Sequence, residues 1–99
     1  MMNMGPIFAE LQRLQGELKQ MTIEVAEGEG AFRVLINGYQ EVQGVAFDPA
    51  ALSPDNAEAL QIMVASAFNR AILQSKEMIK TEIAKITGGL NLPNIPGLF

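Results

Sequence analysis

The lysines in the second half of the chain have the clearest chemistry. Lys76 and Lys80 stand four residues apart in a stretch without glycine or proline, and this spacing places both ammonium groups on one face of a helix. Grouped cationic side chains bind phosphate or carboxylate oxygens through charge-assisted hydrogen bonds. The alternative is an ordinary solvated helix surface on which these lysines pair with Glu77 and its neighbours. The candidate anion-binding residues are Arg13, Lys19, Arg70, Lys76, Lys80 and Lys85.

The distribution of charge limits where an anion would bind. The net charge is −4, which argues mildly against a generic nucleic-acid-binding protein. Residues 1–59 contain three basic and nine acidic side chains, whereas residues 60–99 contain four basic and two acidic ones. Attraction for an anion is therefore expected to be local and concentrated in the second half of the chain.

Side chains for catalysis or metal binding are few. The sequence has no histidine and no cysteine, so disulfides are excluded and the commonest general base, nucleophile and metal ligands are missing. Four carboxylates lack the spacing of a calcium-binding loop and are interpreted as solvated: Glu24, Glu27, Glu29 and Asp48. We therefore expect no enzymatic activity, no metal, no cofactor and no small-molecule substrate.

The segment 53–87 has the pattern of one long helix. Ser53 is a candidate N-cap, Pro54 suits the first turn, and no further glycine or proline occurs before Gly88. Such a helix would be about 50 Å long, longer than any face of a 99-residue domain. We predict a homodimer, because an apolar stripe of this length needs a second surface. The stripe contains Leu60, Val64, Ala67, Phe68, Ala71, Ile72, Ser75, Met78, Ile79, Ile83 and Ile86.

A shorter helix is predicted over residues 6–20. Its apolar residues are separated alternately by three and four positions, which is the spacing of a heptad seam: Met4, Ile7, Leu11, Leu14, Leu18 and Met21. The seam is too short for an independent coiled coil. It either packs as an ordinary amphipathic helix within the subunit or forms a contact between subunits. The candidate core or dimer residues are Leu11, Leu14, Leu18, Phe68, Ile72 and Ile79.

Three strands are predicted between the helices, over residues 21–26, 32–37 and 40–47, from the alternation of apolar and polar side chains. Asn37-Gly38 predicts a type I′ hairpin turn, and the broken alternation around Gly44 predicts a bulge. A small sheet with one apolar face must be covered by helices. The predicted fold class is therefore α+β with the order α-β-β-β-α. A three-stranded antiparallel meander is covered by the long C-terminal helix, in a homodimer with projecting N-terminal helices.

The chain is divided into one dimerising domain, residues 1–89, and a terminal segment, residues 90–99. Pro93, Pro96 and Gly97 exclude a helix in the terminal segment, which has no charge. It contains five large apolar side chains, which is unusual for a disordered segment. Three interpretations stay open: a mobile tail, a segment that docks into an apolar groove of the dimer, and a ligand for another protein.

Segments for membrane insertion or secretion are not expected. No run of apolar residues approaches the roughly 18 that a membrane-spanning helix needs. The N-terminus also lacks a charged segment followed by an apolar one. We therefore expect a cytoplasmic protein without a membrane partner.

Four stretches that together span nearly the whole chain resemble one known family. They are residues 10–21 (ELQRLQGELKQM), VLING with VAFDP in residues 34–49, residues 64–71 (VASAFNRA) and residues 85–99 (KITGGLNLPNIPGLF). The sequence resembles the YbaB/EbfC family of nucleoid-associated proteins, and the TGGLNLP run is the most specific part of the match. The resemblance implies a small homodimer with an α/β core and projecting helices that binds DNA and condenses or regulates it, without catalysis or a cofactor. The opening helix departs from the lysine-rich pattern common in that family.

Two functional hypotheses follow. The first is a homodimeric nucleoid-associated protein whose partners are itself and double-stranded DNA. The sequence contains no basic recognition helix, zinc finger or exposed aromatic platform, so contacts are expected mainly with the DNA backbone. The alternative is a dimeric adaptor that binds another protein through its helical seam or its apolar terminal segment, with weak or no DNA binding.

Overall fold

The elements follow one another as helix, three strands and helix, which confirms the predicted order. The structure is a computed structural model that describes residues 5–88. Met4 of the heptad seam and the terminal segment 90–99 lie outside the described residues. The elements are α1 (Gly5–Glu17), β1 (Thr22–Glu27), β2 (Phe32–Asn37), β3 (Val42–Phe47) and α2 (Ala57–Thr87), with 3-10 turns at Pro49–Ala51 and Pro54–Asn56.

β2 is the central strand of a three-stranded antiparallel sheet in the order β1-β2-β3. Its register with β3 shifts partway along the pair. Leu35 lies opposite Gly44, whereas Ile36 lies opposite Val42, so Gln43 is an extra residue on β3. The bulge predicted near Gly44 is confirmed, and β1 and β3 form the two edges of the sheet.

The core of the subunit lies between the sheet and the first half of α2. Phe32, Val34 and Ile36 are at most 1% exposed and share the face that packs against α2, because alternate residues of a strand point the same way. On α2 the facing positions are Ala67 and Ala71, both fully buried, whose small side chains allow the helix to approach the sheet closely. Full burial of one valine, isoleucine or phenylalanine contributes about 1.5–3 kcal/mol. This contact fixes α2 on the sheet.

α2 is much longer than the sheet that it covers. Its 31 residues span about 46 Å, whereas the six-residue strands span about 20 Å. The helix begins at Ala57, after a 3-10 turn in which Ser53 Oγ accepts a hydrogen bond from the N–H of Asp55 at 3.2 Å. It ends as predicted at Gly88, where φ is 63°. The second half of α2 therefore extends past the sheet.

α1 packs against this second half of α2. It ends at Glu17, three residues before the predicted end, and the chain then passes under the turn between β2 and β3. There the N–H of Gly38 donates to the carbonyl of Leu18 at 3.0 Å. The leucines of the heptad seam are covered within one chain, at no more than 3% exposure: Leu11, Leu14 and Leu18.

The type I′ turn predicted at Asn37-Gly38 is wrong. That turn needs positive φ at both central residues, but among the described residues between β2 and β3 only Gln40 has positive φ, at 59°. Asn37 is buried instead. Its Oδ1 accepts hydrogen bonds from the N–H of Tyr39 at 2.9 Å and from the N–H of Glu41 at 3.0 Å. The turn is a four-residue loop closed by the Asn37 side chain.

Candidate nucleic-acid interface

Arg13 is held by two carboxylates of its own helix. Its Nη2 lies 2.5 Å from Glu10 Oε2, and its Nη1 lies 2.6 Å from Glu17 Oε1. Residues three and four positions apart share one helix face, so these groups meet without help from the rest of the fold. Their hydrogen bonds raise the pKa of Arg13 and lower the pKa of Glu10. A phosphate would have to displace two carboxylates to bind this guanidinium.

Arg70 and Lys85 are also paired. Arg70 Nη1 lies 2.5 Å from Oε1 of Glu27, which also accepts a hydrogen bond from Ser66 Oγ at 2.9 Å. The hydrogen bond from Arg70, and then the one from Ser66, lowers the pKa of Glu27. Lys85 Nζ lies 2.9 Å from Glu82 Oε1. Exposed pairs of this kind are weak, so they reduce the availability of the two cations without abolishing it.

Lys19, Lys76 and Lys80 have no ion pair with any residue between 5 and 88, and all three are exposed. The pairing with Glu77 that was considered for the two α2 lysines is absent from this part of the chain. Lys76 and Lys80 lie one turn apart on α2. Both follow the buried Ala71, on the half of the helix that extends past the end of the sheet. The structure therefore places this pair one turn apart on α2, whereas Lys19 lies two residues after the end of α1.

Buried polar side chains fix the backbone at Lys19 and beside Lys76. Asn37, 1% exposed, donates from Nδ2 to the carbonyl of Lys19 at 3.3 Å. Fully buried Ser75 donates from Oγ to the Asn37 carbonyl at 2.7 Å and accepts from Gln40 Nε2 at 2.9 Å. Sequence reasoning missed this network, because it assigned Ser75 to the apolar stripe. The one available signal was a polar residue within that stripe.

Tyr39 joins the same turn to α1. Its hydroxyl donates to the carbonyl of Gln15 at 2.5 Å. Burial, and secondly the negative charge of Glu41, raises the pKa of Tyr39, which favours the protonated hydroxyl that donates this hydrogen bond. The last turn of α1, which precedes Lys19, is thus fixed to the turn between β2 and β3.

The opposite end of the molecule is acidic. Glu29 lies in the turn after β1, Asp48 follows β3, and both Asp55 and Glu58 stand near the start of α2. None of the four forms an ion pair within the described part of the chain. No group of three or more described Asp, Glu, His or Cys residues is arranged to hold a metal ion. Carboxylates at this end oppose the approach of a polyanion.

An apolar surface is exposed beside α2, because the helix packs on β1 and β2 and leaves β3 uncovered. Val45 and Phe47 lie opposite residues that face α2, yet they are 52% and 40% exposed. The rings of Phe47 and Phe68 lie 5.0 Å and 5.9 Å from the ring of Phe32. Ile72, one turn beyond Phe68, is 36% exposed. We name this surface the β3–α2 patch: Val42, Val45, Phe47, Phe68 and Ile72.

The residues predicted for the core or the dimer lie in two places. The three leucines of α1 are buried within the subunit. Phe68 and Ile72 belong to the β3–α2 patch, and half-buried Ile79 lies on the same side of α2.

In the described residues there is no helix with the length and apolarity needed to cross a membrane.

Comparison with known proteins gives the family. The model of the YbaB/EbfC DNA-binding family matches residues 1–90. A nucleoid-associated protein of Moorella thermoacetica is 43% identical over 93 residues, covering 94% of this chain and 89% of that protein. A nucleoid-associated protein of Desulforamulus reducens is 38% identical over 104 residues, covering 98% of this chain and 96% of that protein.

The fold also matches a solved structure. The crystal structure of the uncharacterized protein HP0035 from Helicobacter pylori is similar with a TM-score of 0.71 at 26% identity, covering 83% of this chain and 86% of that one. The sequence resemblance and the α-β-β-β-α fold thus agree with the family match over most of the chain. The chain belongs to the YbaB/EbfC DNA-binding family of nucleoid-associated proteins.

Proposed function

We propose that this protein is a homodimer that binds double-stranded DNA mainly through the phosphate backbone and organises the nucleoid or regulates genes there, in the cytoplasm. One observation carries the proposal: exposed Lys76 and Lys80 stand one turn apart without a carboxylate partner among residues 5–88. Membership of a DNA-binding family supports DNA as the anion. Lys19 is a further contact. Three cations contribute only where a phosphate displaces their present partners: Arg13, Arg70 and Lys85.

The chemistry of the available cations favours phosphates over bases. The commonest specific base contact is a bidentate arginine on guanine, but the guanidinium groups of Arg13 and Arg70 are occupied by carboxylates. Lysine is a compact point charge on a flexible stem, which suits a phosphate without fixing a base. Binding is therefore expected to depend steeply on salt, with a contribution of about 0.9 to the log–log slope for each neutralised phosphate.

A second copy seated on the β3–α2 patch would complete the binding surface. Exposed contiguous apolar patches usually mark interaction sites, and β3 also has an unpaired edge. A two-fold axis repeats every lysine. Because Lys76 follows Ile72 by one turn of α2, the two Lys76–Lys80 pairs would stand at the rim of the contact. This pairing concentrates positive charge in a chain whose net charge is −4.

Fluorescence anisotropy of a labelled duplex, measured over a series of salt concentrations, tests the proposal. Lys76→Gln/Lys80→Gln removes four ammonium groups from a dimer, so we expect weaker binding and a slope smaller by about 3.6. Arg33→Gln is the control, because Arg33 is paired with Glu24 at 3.4 Å on the sheet and lies away from the lysines. It should leave the slope unchanged. Failure of the unaltered protein to bind any duplex at low salt contradicts the proposal.

The β3–α2 patch also favours a second function, a dimeric adaptor that binds another protein and has weak or no affinity for DNA. The net charge of −4 doubles in a dimer and opposes association with a polyanion. Under this alternative the unaltered protein forms a dimer but binds no duplex at low salt. The anisotropy series therefore separates the two functions.

A further inference from the structure

An open groove of 520 Å³ lies between α1 and the last two turns of α2. Its apolar lining includes Ile7 and Leu14 of α1 and Ile86 of α2. Leu14 is 3% exposed, whereas the two isoleucines are only half-buried. We name this surface the α1–α2 groove. Apolar side chains of both helices are partly exposed in it.

Five of the nine residues that line the groove are charged, and these five are already paired with one another. Arg13 bridges two carboxylates of α1, and Lys85 pairs with Glu82 on α2. A charged ligand would have to break these pairs, whereas an uncharged apolar segment can cover the lining and leave them intact. The chemistry of the groove therefore selects an apolar occupant without charge.

The residues that follow α2 provide an uncharged apolar segment close to the groove. α2 ends at Gly88, whose N–H donates to the carbonyl of Ala84 at 3.0 Å with φ at 63°, only two residues after Ile86 in the groove lining. Residues 90–99 follow and have no charged side chain. Ten extended residues reach up to about 33 Å, and the stretch of α1 from Ile7 to Glu17 is about 15 Å long. The segment is thus long enough to follow the whole groove.

The composition of this segment fits the lining. It has five large apolar side chains: Leu90, Leu92, Ile95, Leu98 and Phe99. Its two prolines restrict the unbound chain, so less conformational entropy is lost when the segment becomes ordered. We propose that residues 90–99 pack into the α1–α2 groove of their own subunit and tie α1 to α2. This proposal does not depend on DNA binding.

Disulfide formation tests the location directly, because the chain has no cysteine of its own. Glu10→Cys/Asn94→Cys places one thiol at the groove rim and one in the segment. Glu58→Cys/Asn94→Cys is the control, since residue 58 lies about 45 Å from Gly88 along α2, beyond the reach of residue 94 in the same subunit. Under mild oxidation we expect a disulfide within the chain for the first pair, seen as a faster band of monomer size on a non-reducing gel.

Two results would overturn the proposal in this assay. One is a yield no higher than that of the control pair. The other is a band of twice the chain mass, which would show that the segment reaches another subunit instead.

A substitution within the segment tests the apolar contact. Leu92→Asp in the Glu10→Cys/Asn94→Cys background should lower the disulfide yield about tenfold, because packing in the groove would then bury a charge in place of a leucine. Asn91→Asp adds the same charge at the neighbouring polar residue and should change the yield less than about twofold. Without the cysteines, amide exchange in α1 should be about tenfold faster for Leu92→Asp than for Asn91→Asp. Equal yields or equal exchange rates for the two variants would refute the proposed contact.

Discussion

Glu27 links β1 to α2 through Arg70 and Ser66. These two hydrogen bonds hold the pKa of Glu27 below its usual value of 4.5. A carboxyl whose pKa is lower in the folded than in the unfolded state stabilises the fold above the unfolded pKa, and this contribution is lost as the pH falls through the folded pKa. Glu27→Gln should therefore lower Tm at neutral pH and have progressively less effect below about pH 4.

Differential scanning calorimetry from about pH 3 to pH 7 measures this dependence. Glu24→Gln is the matched control, because Glu24 lies on the same strand and pairs with Arg33 at 3.4 Å between two half-exposed side chains. A Tm difference for Glu27→Gln that stays constant over the whole pH range would contradict the assignment.

Which cations are free to bind an anion depends partly on neighbours in the sequence and partly on the fold. The pairs of Arg13 with Glu10 and Glu17 follow from helix spacing and can be read from the sequence. The pair of Arg70 with Glu27 joins residues 43 positions apart and exists only because α2 lies along β1. The sequence therefore predicted six basic candidates, and tertiary structure was needed to separate those with partners from those without.

The contact between the β2–β3 turn and α1 leaves no space for a side chain at Gly38. A Cβ added there would lie 2.8 Å from Leu18 Cδ2 and 2.9 Å from the Leu18 carbonyl oxygen. Gly38→Ala should force the turn away from α1 and lower the free energy of unfolding by about 1–3 kcal/mol. Urea denaturation followed by circular dichroism measures this change.

Gly16→Ala is the matched control. Gly16 lies in the last turn of α1, and a Cβ there would meet no atom within 4 Å apart from its chain neighbours and the backbone of its own helix. Alanine is favoured over glycine by up to about 0.5–1 kcal/mol in a helix, so this variant should be at least as stable as the unaltered protein. Similar destabilisation by both substitutions would show that the effect at Gly38 is not steric.

The elements that the sequence predicted correctly are those determined by local pattern. Alternating apolar residues determine β2, the stretch without glycine or proline determines α2, and the broken alternation at Gly44 marks the bulge. The turn at Asn37 was predicted wrongly, because its geometry is set by residues distant in sequence. Leu18 occupies the space beside the turn, and Ser75 accepts and donates hydrogen bonds there. Local turn preference is outweighed by these contacts.

Over the whole molecule, acidic, apolar and basic surfaces are separated. Carboxylates surround the start of α2, the β3–α2 patch occupies one side of the sheet, and the unpaired lysines of α2 lie past the sheet. An elongated subunit with this arrangement can bury the patch against a second copy without covering the lysines. The net charge alone argues against DNA binding, but the local arrangement permits it.

The β3–α2 patch should decide the oligomeric state. Light scattering at about micromolar concentration is expected to give about twice the chain mass of 10.7 kDa for the unaltered protein. Val45→Asp should give the mass of the single chain, because a two-fold contact would bury two unpaired carboxylates. Val45 is 52% exposed in the subunit, so the fold of the subunit should tolerate the change. Circular dichroism spectra matching those of the unaltered protein would confirm that.

Ile62→Asp provides the control for this prediction. Ile62 lies on α2 outside the patch and is 71% exposed, so the same charge there should leave the dimer intact. The Val45→Asp monomer carries half the lysines of a dimer, and its salt dependence of DNA binding should fall to about half. A single-chain mass for the unaltered protein, or dissociation by both substitutions alike, would contradict the assignment of the patch. If monomeric Val45→Asp bound DNA with the same salt dependence as the unaltered dimer, one subunit would hold the whole DNA-binding surface.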